Sequence, residues 1–173
     1  MTIFDFNDIH SHTPGSGRVL SVDITDQEDI AKLTDGQYFT AGIHPWHADF
    51  NADFRLLSQL TESPYCVGIG ECGIDMRRGP SADIQLPVLR RQLDMAQITC
   101  LPVVLHIVGA LDKILFLRKE YGEKVPWIVH GFRGKVVTAN QLIASGIYIS
   151  LGEKSNLEIS KIIDSRFILR ESD

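Results

Sequence analysis

The chain has 173 residues, 44% of them hydrophobic, and a formal net charge of -5. This composition is ordinary for a globular domain with one buried core and gives no sign of disorder, and the acidic balance argues against a broad basic surface for nucleic acid. No apolar run is long enough to cross a bilayer, and the N-terminal MTIFDFND lacks the basic start and apolar block of a secretory signal. We therefore expect a cytoplasmic protein with no membrane partner.

The three cysteines give the same indication about the compartment. Cys66, Cys72 and Cys100 form an odd set without the spacing of a metal finger. We predict free, buried thiols in a reducing compartment.

Short apolar runs alternate with helical patterns along the whole chain. Strands are predicted at residues 4–9, 18–24, 38–43, 66–70, 102–106, 126–130, 147–151 and 167–172. Helices are predicted between them at residues 26–33, 53–62, 83–99, 110–121, 135–145 and 156–163. Eight strands alternating with helices favour the α/β class and a closed TIM-type (βα)8 barrel over an open sheet, with residues 1–173 as one domain. Only HTPGSG joins the first two strands, so the first βα unit is predicted to be shortened.

Histidine and acidic residues recur where the predicted strands end. His10 and His12 follow the first strand, and residues two apart in a strand point to the same face. The carboxyl ends of the strands in such a barrel build one site from distant parts of the chain. Six side chains are therefore expected to converge there: His10, His12, Glu71, His106, His130 and Asp173.

These residue types suit a divalent metal site. Imidazole nitrogen and carboxylate oxygen bind zinc and manganese, and magnesium where more oxygens are present. Glu71 directly follows a buried run, so its charge needs a partner or a cation to offset desolvation. Two ions about 3.5 to 4 Å apart can stabilise the attacking and leaving oxygens of a displacement at phosphorus. The alternative for each histidine is a hydrogen-bonded structural role at a strand end.

Seven motifs add a family resemblance, in the order DIHSH, AGIHPW, GIGECGID, PVVLH, IVHGF, GIYISLG and LRESD. Together they resemble the TatD-like metal-dependent DNases, a family of amidohydrolase-type barrels, in a compact bacterial subgroup. The resemblance implies a divalent-metal hydrolase (one or two Mg, Mn or Zn ions) that cleaves phosphodiesters, typically DNA from an end. It also implies that the six residues are metal ligands, that Glu71 bridges two ions, and that Asp173 orients or deprotonates the attacking water. The family continues past the ESD-like motif, so we expect a barrel that lacks the C-terminal helices.

Two positions depart from the family pattern. Val108 stands where an arginine commonly follows the strand-five histidine, and Gly131 stands where a cysteine often follows the strand-six histidine. A phosphate contact is therefore lost or supplied from elsewhere.

Several further polar residues lie in loops beyond the predicted ligands. Guanidinium and ammonium groups there could bind phosphate, or they could be ordinary solvated charges: Arg77, Arg78, Arg133 and Lys135. His44 is expected to touch substrate or support a ligand rather than bind metal itself. Asp75 either positions a ligand or caps its loop.

Three functions remain open from the sequence. The leading one is a phosphodiesterase, a DNase or exonuclease, acting on DNA or another phosphodiester. The second is a metal-dependent ester or amide hydrolase, such as an aminoacyl-ester deacylase. The third is a non-catalytic, metal-stabilised interaction protein. No obligate protein partner is evident.

Overall fold

The alternation of strands and helices forms a parallel eight-stranded barrel with its helices packed outside. The computed structural model describes residues 1–156 and 158–173. Its strands are β1 Asp8–Ser11, β2 Arg18–Asp23, β3 Phe39–Gly42, β4 Cys66–Asp75, β5 Val103–Val108, β6 Trp127–Val129, β7 Ile147–Leu151 and β8 Ile168–Arg170. Its helices are α1 Gln27–Ala31, α2 Phe54–Thr61, α3 Ala82–Thr99, α4 Leu111–Tyr121, α5 Val136–Ala144 and α6 Ile159–Ile162. The predicted fold class is confirmed.

The strands pair in chain order, and the barrel is nearly closed between β8 and β1. Each strand pairs in parallel with the next, from β1 through β8. At the seam, the backbone N–H of Ser172 donates to the carbonyl oxygen of His10 at 3.3 Å, and the Ser172 hydroxyl donates to Asp8 at 2.6 Å. Residues 12–17 join β1 to β2 without a helix, as predicted for the shortened first unit.

Two apolar clusters stabilise the barrel. The larger one packs strands against helices, with Trp127 and Leu93 among its fully buried members. The smaller one holds side chains from the opposite strand faces, including Val104 and Ile128, and Ile3 packs into it. Each fully buried side chain of this size contributes about 1.5 to 3 kcal/mol.

The first strand begins later than predicted. Residues Ile3–Asp5 form a 3-10 turn, and β1 starts at Asp8. The Asp5 carboxylate accepts hydrogen bonds from the backbone N–H of Thr2 at 2.7 Å and from its hydroxyl. This capping box stabilises a turn where apolar spacing alone suggested a strand.

The fourth strand is longer than predicted, because its glycines allow close strand approach. It runs to Asp75 rather than ending at residue 70, and every one of its residues is buried. A Cβ at Gly73 would lie 1.9 Å from the carbonyl oxygen of His106, so only glycine fits this contact with β5. The pairing with β5 shifts register between Ile69 and Cys72, which is the local irregularity of a β-bulge.

Two other expectations need correction. Helix α6 covers Ile159–Ile162 rather than 156–163, and residue 157 of that prediction lies outside the described residues. Cys66 and Cys72 are buried free thiols as predicted, but Cys100, which follows the last residue of α3 in a left-handed conformation with φ of 57°, is exposed.

None of the helices in the part of the chain that the structure describes is long and apolar enough to span a bilayer.

Candidate metal centre

The buried carboxylate of Glu71 lies at the centre of the barrel mouth. Glu71 is 6% exposed, and its Oε1 lies 3.0 Å from His44 Nε2, 2.7 Å from His106 Nδ1 and 2.7 Å from His130 Nε2. Its Oε2 lies 3.3 Å from His10 Nε2. Strands β1, β4, β5 and the segments following β3 and β6 therefore bring four imidazoles to one carboxylate.

The two-residue period of the strands explains this convergence. Val104 and Ile128 belong to the smaller apolar cluster, and His106 and His130 follow them by two residues on the same strand face. Glu71 points to the same region because the irregularity in β4 interrupts the alternation, while Ile69 and Cys72 pack in the outer layer.

The predicted metal ligands lie at slightly different positions along the strands from those expected from the sequence. Glu71 and His106 lie inside β4 and β5 rather than at their ends, since both strands extend further. His130 directly follows β6, whereas the predicted strand 126–130 included it as its last residue. His10 is fully buried within β1, so the two histidines near the N-terminus are not equally exposed.

The exposed part of the cluster is formed by His12 and Asp173. His12 Nε2 lies 3.3 Å from Asp173 Oδ1, and the His12 ring packs edge-on to His10 with centroids 5.2 Å apart. The hydrogen bond with Asp173 raises the pKa of His12, and the same bond lowers the pKa of Asp173 to about 2. Asp173 is therefore an anion at neutral pH, partly open to solvent.

Charge dominates over burial at the centre of the cluster. Burial lowers the pKa of His130, but the charge of Glu71, the hydrogen bond with Glu71 and the charges of Glu171 and Asp173 together outweigh burial and raise that pKa to about 9. Burial would likewise raise the pKa of Glu71, but the charge of His130 and the hydrogen bond with His106 hold it well below its usual range. The site thus favours positive charge next to the Glu71 carboxylate.

The unpaired polar atoms fit a divalent cation. Among the described residues, Nδ1 of His10 and Nδ1 of His130 are buried without a hydrogen-bond partner, and His10 Nε2 has only the 3.3 Å contact with Glu71 Oε2, which lacks hydrogen-bond geometry. A buried polar atom without a partner destabilises the folded protein, unless it binds another group or an ion. Four overlapping sets of three described residues have ligand atoms within 4.8 Å of one another. Three of these sets are His10 with Glu71 and His130, His10 with His12 and Asp173, and His44 with Glu71 and His106, so His44 is also placed where a metal ligand could lie. Imidazole and carboxylate ligands in this arrangement suit zinc, manganese and related divalent ions.

One acidic residue of the site was missed from the sequence. Glu171 is buried, accepts a hydrogen bond from the hydroxyl of Ser150, and lies 3.9 Å from His130 Nδ1. It also forms a possible metal-binding set with His130 and Asp173. The two-residue spacing from Asp173 in LRESD was the available signal, since such residues share a face of an extended segment.

His44 and Asp75 both contact the cluster. His44 Nδ1 accepts the backbone N–H of Trp46 at 3.2 Å, while its Nε2 faces Glu71. Asp75 Oδ2 lies 3.3 Å from His106 Nε2 and accepts the indole N–H of Trp46 at 2.6 Å. The loop-capping expectation for Asp75 is confirmed, because Oδ1 accepts the backbone N–H groups of Arg77 and Arg78.

The predicted phosphate-binding side chains are only partly grouped. Arg77 and Arg133 line a cleft of about 830 Å³ that also includes His106, His130 and Asp173. The guanidinium of Arg78 instead lies 4.9 Å from the centre of the Trp46 ring. Lys135 is exposed just before α5 and is not among the residues that line this cleft.

The opposite side of the mouth is acidic. A second cleft of about 260 Å³ includes Asp23, Asp26 and Asp29 beside the metal-binding candidates. His47 Nδ1 contacts Asp23 Oδ2 at 2.6 Å. The mouth therefore has arginines on the side of β4 and β6 and carboxylates on the side of β2 and α1.

A parallel barrel with imidazoles and carboxylates gathered at the mouth is the architecture of many metal-dependent hydrolases. The model of one such family, described as TatD related DNase, matches residues 15–173. The chain belongs to this TatD-related DNase family.

Individual relatives agree with this assignment. The chain is 32% identical over 159 residues to a 3'-5' ssDNA/RNA exonuclease TatD from Cronobacter turicensis, covering 83% of this chain and 59% of that protein. It is 30% identical over 161 residues to YabD of Bacillus subtilis, an uncharacterized metal-dependent hydrolase, covering 87% of this chain and 63% of that protein. A further TatD exonuclease, from Erwinia billingiae, is 34% identical over 116 residues, covering 65% of this chain and 44% of that protein. The chain thus spans roughly half to two thirds of the length of these relatives.

Solved structures share the fold. A TatD family hydrolase from Entamoeba histolytica superposes with a TM-score of 0.77 at 23% identity, covering 91% of this chain and 61% of that chain. The TatD homologue YJJV from Escherichia coli gives 0.70 at 25% identity, covering 90% of this chain and 67% of that chain.

Proposed function

We propose that this chain is a divalent-metal-dependent phosphodiesterase that removes nucleotides from an end of DNA or a related nucleic acid. The observation that carries the proposal is the convergence of four imidazoles on the buried Glu71 carboxylate. The names of the relatives, exonuclease and metal-dependent hydrolase, support the same reaction class. We further propose that residues 1–173 form one catalytic domain.

The proposed metal ligands are the six side chains identified from the sequence: His10, His12, Glu71, His106, His130 and Asp173. Glu71 is the proposed bridge if two ions bind, since its two oxygens face different imidazoles. Magnesium, manganese and zinc are the candidate ions. A bound divalent cation would supply Lewis acidity that neutralises charge developing on the phosphoryl oxygens.

Side chains of the protein are proposed to orient the attacking water and to bind the phosphates of the substrate. Asp173 is a partly exposed carboxylate at the edge of the cluster, where it can orient water and accept a proton from it. Arg77 and Arg133 in the larger cleft can bind the phosphates of the strand by paired N–H donors. We propose that His44 contacts the reacting phosphate, while Arg78 and Lys135 act as weaker contacts at the rim.

The location of the substrate follows from the charges of the mouth. The carboxylates beside the smaller cleft repel phosphate, whereas the arginines of the larger cleft attract it. We therefore propose that the nucleic acid lies over β4, β5 and β6. The three free thiols are consistent with a reducing compartment, and we propose the cytoplasm as the place of action.

A digestion time course tests the proposal. An end-labelled single-stranded oligonucleotide is incubated with the protein and Mg²⁺, Mn²⁺ or Zn²⁺, and released nucleotides are separated by size. We expect stepwise shortening that chelator abolishes, that His130→Gln reduces at least about 100-fold, and that His47→Gln leaves intact as a matched rim control. Hydrolysis of an aminoacyl or simple ester without nucleotide release would instead support the second reading of the sequence.

A further inference from the structure

The geometry points to Asp75 as a positioning residue: we propose that it fixes the tautomer and orientation of His106, so that Nδ1 of the ring faces the metal centre. This inference rests on the proposed metal centre. It adds a supporting residue to that centre and assigns no new ligand.

The two nitrogens of His106 have different partners. Nδ1 lies 2.7 Å from Glu71 Oε1 and 3.4 Å from His130 Nε2, so it faces the cluster. Nε2 lies 3.3 Å from Asp75 Oδ2 on the other side of the ring. A neutral imidazole that donates Nε2–H to a carboxylate has its lone pair on Nδ1, where a cation can bind it.

The groups around the Asp75 carboxylate are hydrogen-bond donors, so the carboxylate acts as an acceptor. The residue is 4% exposed, and Oδ2 also accepts the Trp46 indole N–H at 2.6 Å. Its Oδ1 accepts the backbone N–H of Arg77 at 2.8 Å and that of Arg78 at 3.1 Å. Three donors besides His106 thus surround one carboxylate and hold it in one orientation.

The backbone of Asp75 is held independently of its carboxylate. Gln85 Oε1 accepts the Asp75 N–H at 2.8 Å, and Gln85 Nε2 donates to the Asp75 carbonyl oxygen at 2.9 Å. A change in the carboxylate can therefore be separated from a change in the backbone of this loop.

Asp75 also connects the metal ligand with the cleft that we propose for phosphate. The same carboxylate that contacts His106 stabilises the turn bearing Arg77, a residue of the larger cleft. Loss of the carboxylate is therefore expected to affect the metal and the substrate together.

Two variants separate the carboxylate from the turn. Asp75→Asn replaces one oxygen by a donor, which cannot accept Nε2–H if it faces His106. Asp75→Ser keeps a short acceptor for the Arg77 amide but no longer reaches His106. Trp46→Phe is the matched comparison, because it removes one donor to Oδ2 but leaves the His106 contact and both backbone donors to Oδ1 in place.

The readout is affinity for Co²⁺ or Zn²⁺ by competition with a chromophoric chelator, together with the visible spectrum of the Co²⁺ form. We expect both Asp75 variants to bind 10- to 100-fold more weakly with an altered spectrum, while Trp46→Phe stays within about threefold. Melting of the metal-free proteins identifies any variant that fails to fold. Wild-type affinity and spectrum in a folded Asp75 variant would overturn the inference and leave the metal centre standing.

The wild-type protein provides a test that needs no variant. In the Zn²⁺-loaded form, ¹⁵N NMR of histidine side chains should show His106 protonated at Nε2 and unprotonated at Nδ1. A proton on Nδ1 instead would refute the role of Asp75. A wild-type chain that binds no metal would refute the proposed centre itself.

Discussion

His130 Nε2 lies 2.7 Å from Glu71 Oε1, although His130 follows β6 and Glu71 lies in β4, with β5 between these two strands. His106 from β5 reaches the same oxygen at 2.7 Å. Three neighbouring parts of the barrel thus meet at one atom. Buried carboxylates are stable as anions only with such partners, and the same partners can coordinate a cation.

Glu71→Gln should abolish metal-dependent nucleotide release. The amide is isosteric but neutral, so it removes the central anion on which the imidazoles converge. We expect kcat to fall more than about 100-fold, beyond the usual cost of losing a supporting residue. Far-UV circular dichroism should show a retained barrel. Native turnover in the folded variant would show that Glu71 does not bridge the ions.

Arg133→Gln should weaken substrate binding without slowing chemistry. The guanidinium lies in the larger cleft next to His130 and Asp173. Loss of one charged hydrogen bond costs about 1.5 kcal/mol, so KM for an oligonucleotide should rise roughly tenfold while kcat changes little.

The control for Arg133 is a charge at the other end of the barrel. Lys124 precedes β6 and donates to the Gln97 carbonyl oxygen, away from the mouth. Lys124→Gln removes the same charge and should leave KM unchanged. Equal effects of the two variants would mean that only net charge matters.

The fold and the main cluster could be predicted from the sequence because both follow from local patterns. Strand and helix periods differ, and the eight apolar runs ended near polar residues that parallel pairing brings together. His106 and His130, for example, each follow an apolar stretch directly. This prediction did not require knowledge of any contact between residues far apart in the sequence.

The remaining features depended on contacts that a linear pattern does not contain. The 3-10 turn at Ile3–Asp5 depends on a side chain folding back on its own backbone. The length of β4 depends on how closely β5 approaches Gly73. The role of Glu171 depends on Ser150 in a neighbouring strand.

Gly73→Ala should destabilise the barrel and disturb the metal centre. The new Cβ would meet the carbonyl oxygen of His106, and φ of 151° is unfavourable for alanine. We expect a loss of about 3 kcal/mol or more in the free energy of unfolding, measured by urea denaturation. Gly36→Ala is the control, because φ is 80° there and nothing lies within 4 Å of the added Cβ. It should cost only about 1 to 2 kcal/mol. Similar losses in both would contradict the close contact between β4 and β5.

Cys100→Gly should stabilise the protein. Cys100 ends α3 in the left-handed region at φ of 57°, where glycine carries no steric penalty. We expect a gain of about 1 kcal/mol and a rise in Tm of about 2 to 4 °C by calorimetry. Thr99→Gly, one residue earlier inside the helix, should lower stability by up to about 1 kcal/mol. A lower Tm for Cys100→Gly would show that contacts of the Cys100 side chain stabilise the protein by more than its left-handed backbone conformation destabilises it.

The most direct test of the metal centre is the metal content of the protein after equilibrium dialysis against Mn²⁺ or Zn²⁺, measured by mass spectrometry. We expect one or two equivalents per chain in the wild type and a clear loss in Glu71→Gln. Equal metal content in the two proteins, or none in the wild type, would contradict it.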